Sequence, residues 1–447
     1  MDTETIRSQV ARGVVQHQTD LERLVTIPSV SFPDWDQSQV RRSADATGEI
    51  LQAAGLGGVR TIDIPGGNPA VFGETKALQG ALRVLLYAHH DVQPPGPEEL
   101  WDTPPFEPVE KGGRLFGRGT SDDKCGIVMH AAAIRAFEGR PPVHVKVIVE
   151  GEEESSTEHL PYLIESNGEA LAADVVLVAD SGSWRRGVPA LTTSLRGVVD
   201  ATIEVRVLDR AAHSGGYGGA APDALTVLVR TLAKLHDDAG NVAVPGLTTT
   251  TPPLLEWPED EFRAEAGLRR RIELIGEGSI TERVWAKPAI SVLGIDAPSV
   301  DGSYNQLVPV ARGRVSLRLA PNDDPERALD ALCAFLESNV PWGADVRIER
   351  GDPGHGFEQK AEGPVFDAAH RALADAWGTK PVDMGSGGSV PLVAVFREHF
   401  PDATFLLTGA GDELSGAHSS NESVDLVELE RACVAEALLL QYLADGV

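Results

Sequence analysis

Side chains of the kinds that bind metal ions stand directly after apolar segments of this chain. The segment RVLLYA (83–88) runs into His89, HVKVIVE (144–150) runs towards three glutamates, and DVVLVA (174–179) runs into Asp180. The candidate positions follow apolar segments or lie in loops: His89, Asp122, the run Glu152-Glu153-Glu154, Asp180 and His418. Imidazole and carboxylate groups without a cysteine suit zinc, manganese or cobalt. The sequence therefore indicates a site for divalent metal ions.

A pair of divalent ions held by such groups would have a definite chemistry. Two ions about 3.5–4 Å apart, bridged by a carboxylate and a water, can polarise a carbonyl and activate water for hydrolysis. A glutamate beside them can take the water's proton and pass it to a leaving amine. A structural alternative stays open at this point, because a lone aspartate after a strand is more often a helix cap. A run of glutamates is likewise usually a solvated face.

The segments that must position these residues alternate between two patterns. Up to about residue 179, short apolar runs suited to buried strands alternate with helical periodicity, which predicts helices over 3–26 and 44–54. This order predicts a mostly parallel sheet with helices on both faces. Ligands of such a sheet gather beyond the carboxyl ends of its strands, so residues far apart in sequence are expected to meet there.

The pattern changes near residue 190. Segments 198–207 and 312–320 alternate apolar and polar residues, which is typical of antiparallel strands with one exposed face. After about residue 360 the buried pattern returns, with a strand over 404–407. The predicted fold class is α/β, interrupted by an inserted α+β domain. The expected bounds are 1–190 and 359–447 for the α/β catalytic domain and 191–358 for the insertion.

The composition argues against several functions. The chain has 447 residues, with 39 Lys and Arg against 67 Asp and Glu, for a net charge of −28. Nucleic acids and anionic membranes repel so acidic a protein, and we expect neither as a partner. No apolar leader or run of about 18 apolar residues is present, and Cys125, Cys333 and Cys433 are too scattered for a disulfide framework. A cytoplasmic protein is therefore expected.

Six motifs, in this order, resemble those of a known metallopeptidase family. The family includes carnosinases, cytosolic nonspecific dipeptidases, aminoacylases, glutamate carboxypeptidase and succinyl-diaminopimelate desuccinylases, and the resemblance covers most of the chain. The motifs are IPSVS (27–31), AHHDVQP (88–94), GRGTSDDK (117–124), EGEEES (150–155), AHSG (212–215) and AHSSNE (417–422).

The resemblance implies a centre of two divalent ions, with zinc as the first choice and manganese or cobalt as alternatives. The implied ligands are His89 and Asp180 for one ion, Glu154 and His418 for the other, and Asp122 as the bridge. The run of three glutamates leaves a second register open, in which Glu152 and Glu153 are the base and the ligand. His90 should point to the opposite face of the strand from His89.

The resemblance also implies residues around the metals. Asp91 would orient His89, and Glu153 would be the general base. His213 would reach the active site of a partner subunit and stabilise the oxyanion, which implies a homodimer formed through the insertion, acting as lid and dimerisation domain. The groups that would hold the substrate's terminal carboxylate are Arg318, Gly388 and Ser389.

Within this family the sequence is most similar to the dipeptidase branch. Asp180 is an aspartate, where desuccinylases and aminoacylases tend to have glutamate, and the long insertion is similar to that of carnosinases. The expected function is hydrolysis of the peptide bond in dipeptides or short peptides. The alternative is an N-acyl-amino-acid deacylase or desuccinylase. A catalytically inactive relative would be expected to lack ligands, and all five are present.

Overall fold

The computed structural model describes residues 1–156, 158–388 and 390–446. The chain divides into two compact units. The first comprises Met1–Thr193, Gln359–Met384 and Pro391–Val447, and the second comprises Ser194–Glu358 and Gly385–Val390. The short segment Gly385–Val390 thus belongs to the second unit, although it lies outside the predicted insertion.

A six-stranded sheet is the centre of the first unit. Its strand order is Gly57–Ile62, Ala70–Glu74, His144–Glu150, Arg83–His89, Val175–Val178 and Thr404–Leu407. The last four strands are parallel, and the first two join antiparallel at one side. Every residue of the strand His144–Glu150 is buried, as expected for a parallel strand covered on both faces. The predicted α/β fold with a largely parallel sheet is confirmed.

Helices of the first unit pack around this sheet, and the helix Lys124–Ala136 is buried almost throughout. The helices are Thr3–Arg12, Val14–Val25, Gln37–Ala54, Lys124–Ala136, Leu160–Leu171, Pro364–Trp377, Pro391–His399 and Leu426–Gly446. Gly55 ends its helix at φ +105°, and a Cβ on it would lie 2.7 Å from the Cα atom of Gly139. That close approach and the positive φ both require glycine.

Smaller strands complete the first unit. Ser423–Asp425 pairs antiparallel with Arg114–Phe116, which pairs with Val109–Lys111. The strands Ala190–Leu195 and Val382–Ser386 lie where the chain passes from one unit to the other.

The second unit has a four-stranded antiparallel sheet in the order Ala289–Asp296, Val310–Leu319, Gly197–Arg206 and Asp345–Arg350. Alternate residues of Gly197–Arg206 are buried, so one face of this strand packs and the other meets solvent. Two helices, Ala224–Leu232 and Pro325–Ser338, pack their leucines and valines on the buried face. The remaining strands and short helices are Ala212–His213, Ser214–Tyr217, Ala233–Leu235, Glu259–Glu265, Glu282–Ala286, Gln306–Leu307, Pro341–Gly343 and Phe357–Glu358. None of the helices in the described part of the chain is long and apolar enough to cross a membrane.

Candidate metal centre

His89 ends the central strand Arg83–His89 and is completely buried. Its Nδ1 atom lies 3.2 Å from the backbone oxygen of Asp91 and 3.4 Å from the Oδ1 atom of the same residue. Asp91 is held in turn by the Ser31 hydroxyl, at 2.7 Å, and by the backbone N–H groups of Glu153 and Glu154, at 3.3 and 3.0 Å. These contacts fix the ring so that Nε2 is the atom available to a ligand.

Asp122 lies between two imidazole rings. Its Oδ1 atom is 3.1 Å from Nε2 of His89, and its Oδ2 atom is 3.0 Å from Nε2 of His418. The Nε2 atom of His418 also lies 3.1 Å from Oε2 of Glu154, and Oδ1 of Asp180 lies 3.9 Å from Nε2 of His89. The structure therefore brings together all five of the predicted ligands.

The charge of this cluster fits a cation. Two groups of three residues could each hold an ion, because within each group the ligand atoms all lie within 4.8 Å of one another. The first group is His89, Asp122 and Glu154, and the second is His89, Asp123 and Asp180. Burial and the Asp122 charge raise the pKa of Asp180 well above its usual value. Several buried carboxylates that face one another are unfavourable unless a positive charge joins them. The donor set, imidazole nitrogen and carboxylate oxygen, is the one that zinc and manganese bind.

The two histidines carry the positive charge of the cluster when no metal is bound. Burial alone would lower the pKa of His89, but hydrogen bonds to Asp122 and Asp91 outweigh it and raise the pKa well above the usual value. Hydrogen bonds to Asp122 and Glu154 raise the pKa of His418 to about 10. Both rings are therefore held by the same carboxylates that would share a metal ion with them.

Two of the three glutamates after strand His144–Glu150, Glu152 and Glu154, point in different directions. Glu152 lies 2.9 Å from Nδ1 of His159 and accepts a hydrogen bond from the backbone N–H of Asn68. Glu154 faces His418 and is held by Gln93, whose side-chain amide donates to Oε2 at 2.8 Å. This geometry favours the register in which Glu153 and Glu154, rather than Glu152 and Glu153, belong to the site.

Glu153 has the properties that a proton acceptor needs. Burial raises the pKa of Glu153 to about 7, the neighbouring His89 charge opposes the shift, and Glu154 adds to it. A carboxyl group with a pKa near neutrality can both take and return a proton at physiological pH.

His90 does not join this cluster. Its Nε2 atom lies 2.9 Å from the backbone oxygen of Pro69, and burial lowers its pKa to about 4. The alternation of side chains along a strand thus separates two adjacent histidines into a site residue and a core residue.

Sequence reasoning missed Asp123. Its carboxylate is completely buried and accepts a hydrogen bond from the backbone N–H of His89 at 3.3 Å. Asp123 directly follows Asp122 in the same loop, and that adjacency was the available signal.

A second group of predicted residues lies in the second unit. Arg318 is half-buried on the strand Val310–Leu319, and burial lowers its pKa. Arg196, which sequence reasoning missed, is buried, and its guanidinium reaches the backbone oxygens of Gly387 and Lys287, both at 3.4 Å. Burial, followed by the charge of Arg318, lowers the pKa of Arg196 to about 10. Gly388 directly follows Gly387 in the sequence, and Ser389 lies outside the described residues.

His213 is exposed in the second unit and is held in a defined orientation. Its Nδ1 atom accepts hydrogen bonds from the backbone N–H groups of Gly215 and Gly216, at 2.9 and 3.2 Å. A nitrogen that accepts two N–H bonds cannot carry a proton, so the neutral ring carries its proton on Nε2. His213 therefore presents an N–H donor.

An α/β fold with a cluster of imidazoles and carboxylates beyond its strand ends is typical of a metal-dependent hydrolase. Residues 85–442 match the model of peptidase family M20/M25/M40, and the chain belongs to this family. The predicted family and the predicted class, a metallopeptidase, are confirmed.

The relatives of this chain carry dipeptidase names. A cysteinylglycine-S-conjugate dipeptidase of Corynebacterium striatum is 34% identical over 83% of this chain and 84% of its own length. A Cys-Gly metallodipeptidase of Saccharomyces cerevisiae is 27% identical over 95% of both chains. The solved structure of the di-peptidase Dug1p from the same yeast superposes with a TM-score of 0.84, at 25% identity over 99% of both chains.

Proposed function

We propose that this protein is a metal-dependent dipeptidase that hydrolyses the peptide bond of dipeptides or short peptides. The observation that carries the proposal is the position of the Asp122 carboxylate between the Nε2 atoms of His89 and His418. Glu154 contacts the same His418 ring, and Glu153 directly precedes Glu154 in the sequence. The names of the relatives support a dipeptide substrate and do not favour the N-acyl-amino-acid deacylase alternative.

The proposed metal ligands are the five residues that converge at the strand ends. His89 and Asp180 would hold one ion, Glu154 and His418 the other, and Asp122 would bridge them, with zinc as first choice and manganese or cobalt as alternatives. When bound, such ions supply Lewis acidity towards a peptide carbonyl and make water more acidic. Once His89 has lost its extra proton to make way for a metal, Asp91 would keep it in the tautomer that presents an unprotonated Nε2.

Glu153 is the proposed general base. It takes a proton from the attacking water and returns it to the nitrogen of the departing amine, so that no net proton is gained by the enzyme. Its raised pKa, about 7, suits both steps because the protonated and ionised forms are then of similar stability.

The proposed carboxylate-binding group is Arg318 with Gly388 and Ser389, to which the structure leads us to add Arg196. A planar guanidinium can donate two parallel hydrogen bonds to a carboxylate. Burial and, after it, the charge of Arg318 lower the pKa of Arg196, and a bound carboxylate would be attracted by both guanidinium groups.

A homodimer is proposed through the second unit, with His213 serving the partner's site. The strand Ala289–Asp296 stands at the edge of its sheet and exposes apolar side chains: Val292 at 46%, Leu293 at 58% and Ile295 at 45%. An apolar edge strand is a template for pairing with another chain. The Nε2–H group of His213 is the donor that an oxyanion requires.

A reducing, cytoplasmic location is also proposed. The three cysteines, Cys125, Cys333 and Cys433, are all buried free thiols, which is typical of proteins that do not depend on disulfides. Cell fractionation of the native protein would test this location directly, and recovery only from the exported fraction would contradict it.

The function is tested with the protein loaded with zinc or manganese. Unblocked dipeptides, N-acetyl amino acids and N-succinyl amino acids are supplied at equal concentration, and free amino acid is measured. We expect cleavage of the unblocked dipeptides only. Cleavage of the N-acyl compounds alone would overturn the dipeptidase proposal in favour of the deacylase.

The Glu153→Gln variant tests the base. We expect turnover to fall by about 10²–10⁴-fold while the metal content stays unchanged, because Gln cannot accept the proton. Glu152→Gln is the matched control, because the Glu152 carboxylate, next to Glu153 in the sequence, contacts His159 and not the metal cluster. We expect the turnover of this variant to stay within a few-fold of the parent. Similar losses in both variants would remove the special role of Glu153.

A further inference from the structure

A buried carboxylate, Glu422, lies under the loop that carries Asp122. Glu422 has no exposed surface, and its two oxygens accept hydrogen bonds from the backbone N–H groups of Gly119, Ser121 and Asp122 at 2.9–3.1 Å. The Ser121 hydroxyl donates to it at 3.2 Å, and the Arg118 guanidinium at 2.7 Å. One side chain therefore fixes the backbone immediately before the proposed bridging ligand.

The same residue belongs to the segment that carries His418. Glu422 follows His418 by four positions, and its backbone oxygen accepts a hydrogen bond from the N–H of Gly117 at 2.9 Å. The strand Ser423–Asp425 then continues the pairing with Arg114–Phe116. The loop of Asp122 and the segment of His418 are thus joined through Glu422 by both its side chain and its backbone.

The hydrogen-bonding pattern requires a carboxylate at this position. Five N–H or O–H donors converge on it, and an ionised carboxylate offers about four lone-pair sites on two oxygens and no donor of its own. A glutamine would keep one accepting oxygen and would direct an NH₂ group at the remaining donors. A buried carboxylate without a cation is also unfavourable, and Arg118, itself 1% exposed, supplies that cation.

We propose that Glu422 is a positioning residue that couples Asp122 to His418 and thereby sets the metal affinity of the centre. The inference rests on the metal site of the proposed function. The inference concerns a residue outside the proposed catalytic groups. The Glu422 side chain contacts neither the reacting atoms nor His418. Residues that hold metal ligands in place typically account for about 10–100-fold in metal affinity.

The test is the Glu422→Gln variant of the full chain, with zinc affinity measured by competition against a chromogenic chelator. We expect the affinity to fall by about 10–100-fold, and turnover to recover in part when free zinc is raised. Hydrogen exchange of the metal-free protein gives a second measurement, in which the amides of residues 119–122 should exchange at least about tenfold faster. Added metal also stabilises a merely destabilised fold, so faster exchange confined to residues 119–122 is the result that distinguishes a positioning role.

Glu428→Gln is the matched control. Glu428 is also completely buried and accepts hydrogen bonds from Trp377 and Arg431, both at 2.7 Å, and it lies outside the metal cluster. We expect that variant to keep the parent's zinc affinity. Equal zinc affinities of the parent, Glu422→Gln and Glu428→Gln would overturn the role of Glu422 and leave the dipeptidase proposal standing.

Ser121→Ala covers the case in which Glu422→Gln does not fold. It removes one of the five donors and leaves the carboxylate charge in place, so we expect a fall in zinc affinity of about threefold, a fraction of the full effect. An unchanged affinity in Ser121→Ala, with faster exchange nowhere in residues 119–122, would contradict the proposal. Failure of the parent protein itself to bind zinc or manganese would instead contradict the proposed function.

Discussion

The two units of this protein place opposite charges where function is proposed. The first unit gathers carboxylates and imidazoles beyond the ends of buried parallel strands, where His89 has no exposed surface. The second unit brings together two guanidinium groups: Arg318 lies on its antiparallel sheet, and Arg196 directly precedes the strand Gly197–Arg206 of that sheet. The proposed division of labour follows from this chemistry. The carboxylates and imidazoles of the first unit would hold metal ions, and the two guanidinium groups of the second unit would hold the terminal carboxylate of a substrate.

The two sheets also differ in what their strands leave exposed. The strand His144–Glu150 is buried along its whole length. Its burial pattern therefore does not distinguish one face of the sheet from the other. The strand Ala289–Asp296 exposes most of its residues and lies at a sheet edge. Ligands of a buried parallel sheet bind beyond the carboxyl ends of its strands. An exposed edge strand of an antiparallel sheet can instead pair with a strand of another chain.

The largest expected effect that separates the two units is the loss of carboxylate binding in Arg318→Met. We expect KM for a dipeptide to rise by about 10²-fold, since a charge-assisted bidentate contact is lost, while the metal content stays at the parent value. Steady-state kinetics and metal analysis measure the two quantities on the same preparation. A dipeptide amide, which lacks the carboxylate, serves as the control substrate and should show little difference between parent and variant.

Loss of metal from Arg318→Met would break the proposed division between the units. So would an equal loss of kcat/KM for the dipeptide and its amide, because the guanidinium would then not be reading the carboxylate. Arg318→Lys keeps the charge without the planar fork, and we expect it to recover only part of the affinity.

A second prediction concerns the partner contribution of the second unit. His213→Ala and Glu153→Gln proteins, each nearly inactive, are mixed and allowed to exchange subunits. In a random mixture half of the dimers are hybrids with one intact site each, so we expect about a quarter of the parent activity to return. Exchange is verified by mass spectrometry of differently labelled subunits.

The edge strand provides the control for this experiment. Ile295→Lys on the His213→Ala and Glu153→Gln proteins places a charge on the proposed pairing edge, and we expect neither hybrid formation nor recovered activity. Val15→Lys, at an exposed valine of the first unit, should leave recovery intact. Confirmed hybrids without recovered activity would show that His213 does not serve the partner's site.

Much of the first unit could be predicted from the sequence because its signals are local. Apolar runs mark the buried strands, and polar residues directly after them mark the ends where ligands gather. The period of a strand also separates His89 from His90, and the structure places His90 against Pro69, away from the carboxylates. The family and the fold class were likewise accessible, because six motifs stand in one order.

What the sequence did not reveal depends on long-range contacts. The helix predicted over 3–26 is two helices, Thr3–Arg12 and Val14–Val25, which meet at Gly13, where the backbone ψ of −4° departs from the helical value. Arg196 is distinguished by its approach to the backbone oxygens of Gly387 and Lys287, 191 and 91 positions away. The periodicity of the sequence does not predict such long-range contacts, because they form only when the chain folds.

The smallest expected effect is the number of protons released when a ligand binds, which should differ between the two units. Without metal, His418 has a pKa of about 10 through its hydrogen bonds to Asp122 and Glu154, so it is protonated at pH 7. A metal needs the lone pair of Nε2, so its binding should release protons: about one from His418 and up to one more from His89. Because the folded pKa lies above 7, release should persist at pH 7 and diminish as pH approaches 10.

Calorimetry in buffers of different ionisation enthalpy measures this release. The slope of the observed enthalpy against the buffer's ionisation enthalpy gives the number of protons, and His418→Asn should lower it by about one. Binding of a product amino acid to Arg318 should release none from the guanidinium, because arginine keeps its charge at this pH. Metal binding with no proton release would mean that neutral rings face the carboxylates, and the proposed balance of charge in the first unit would have to be revised.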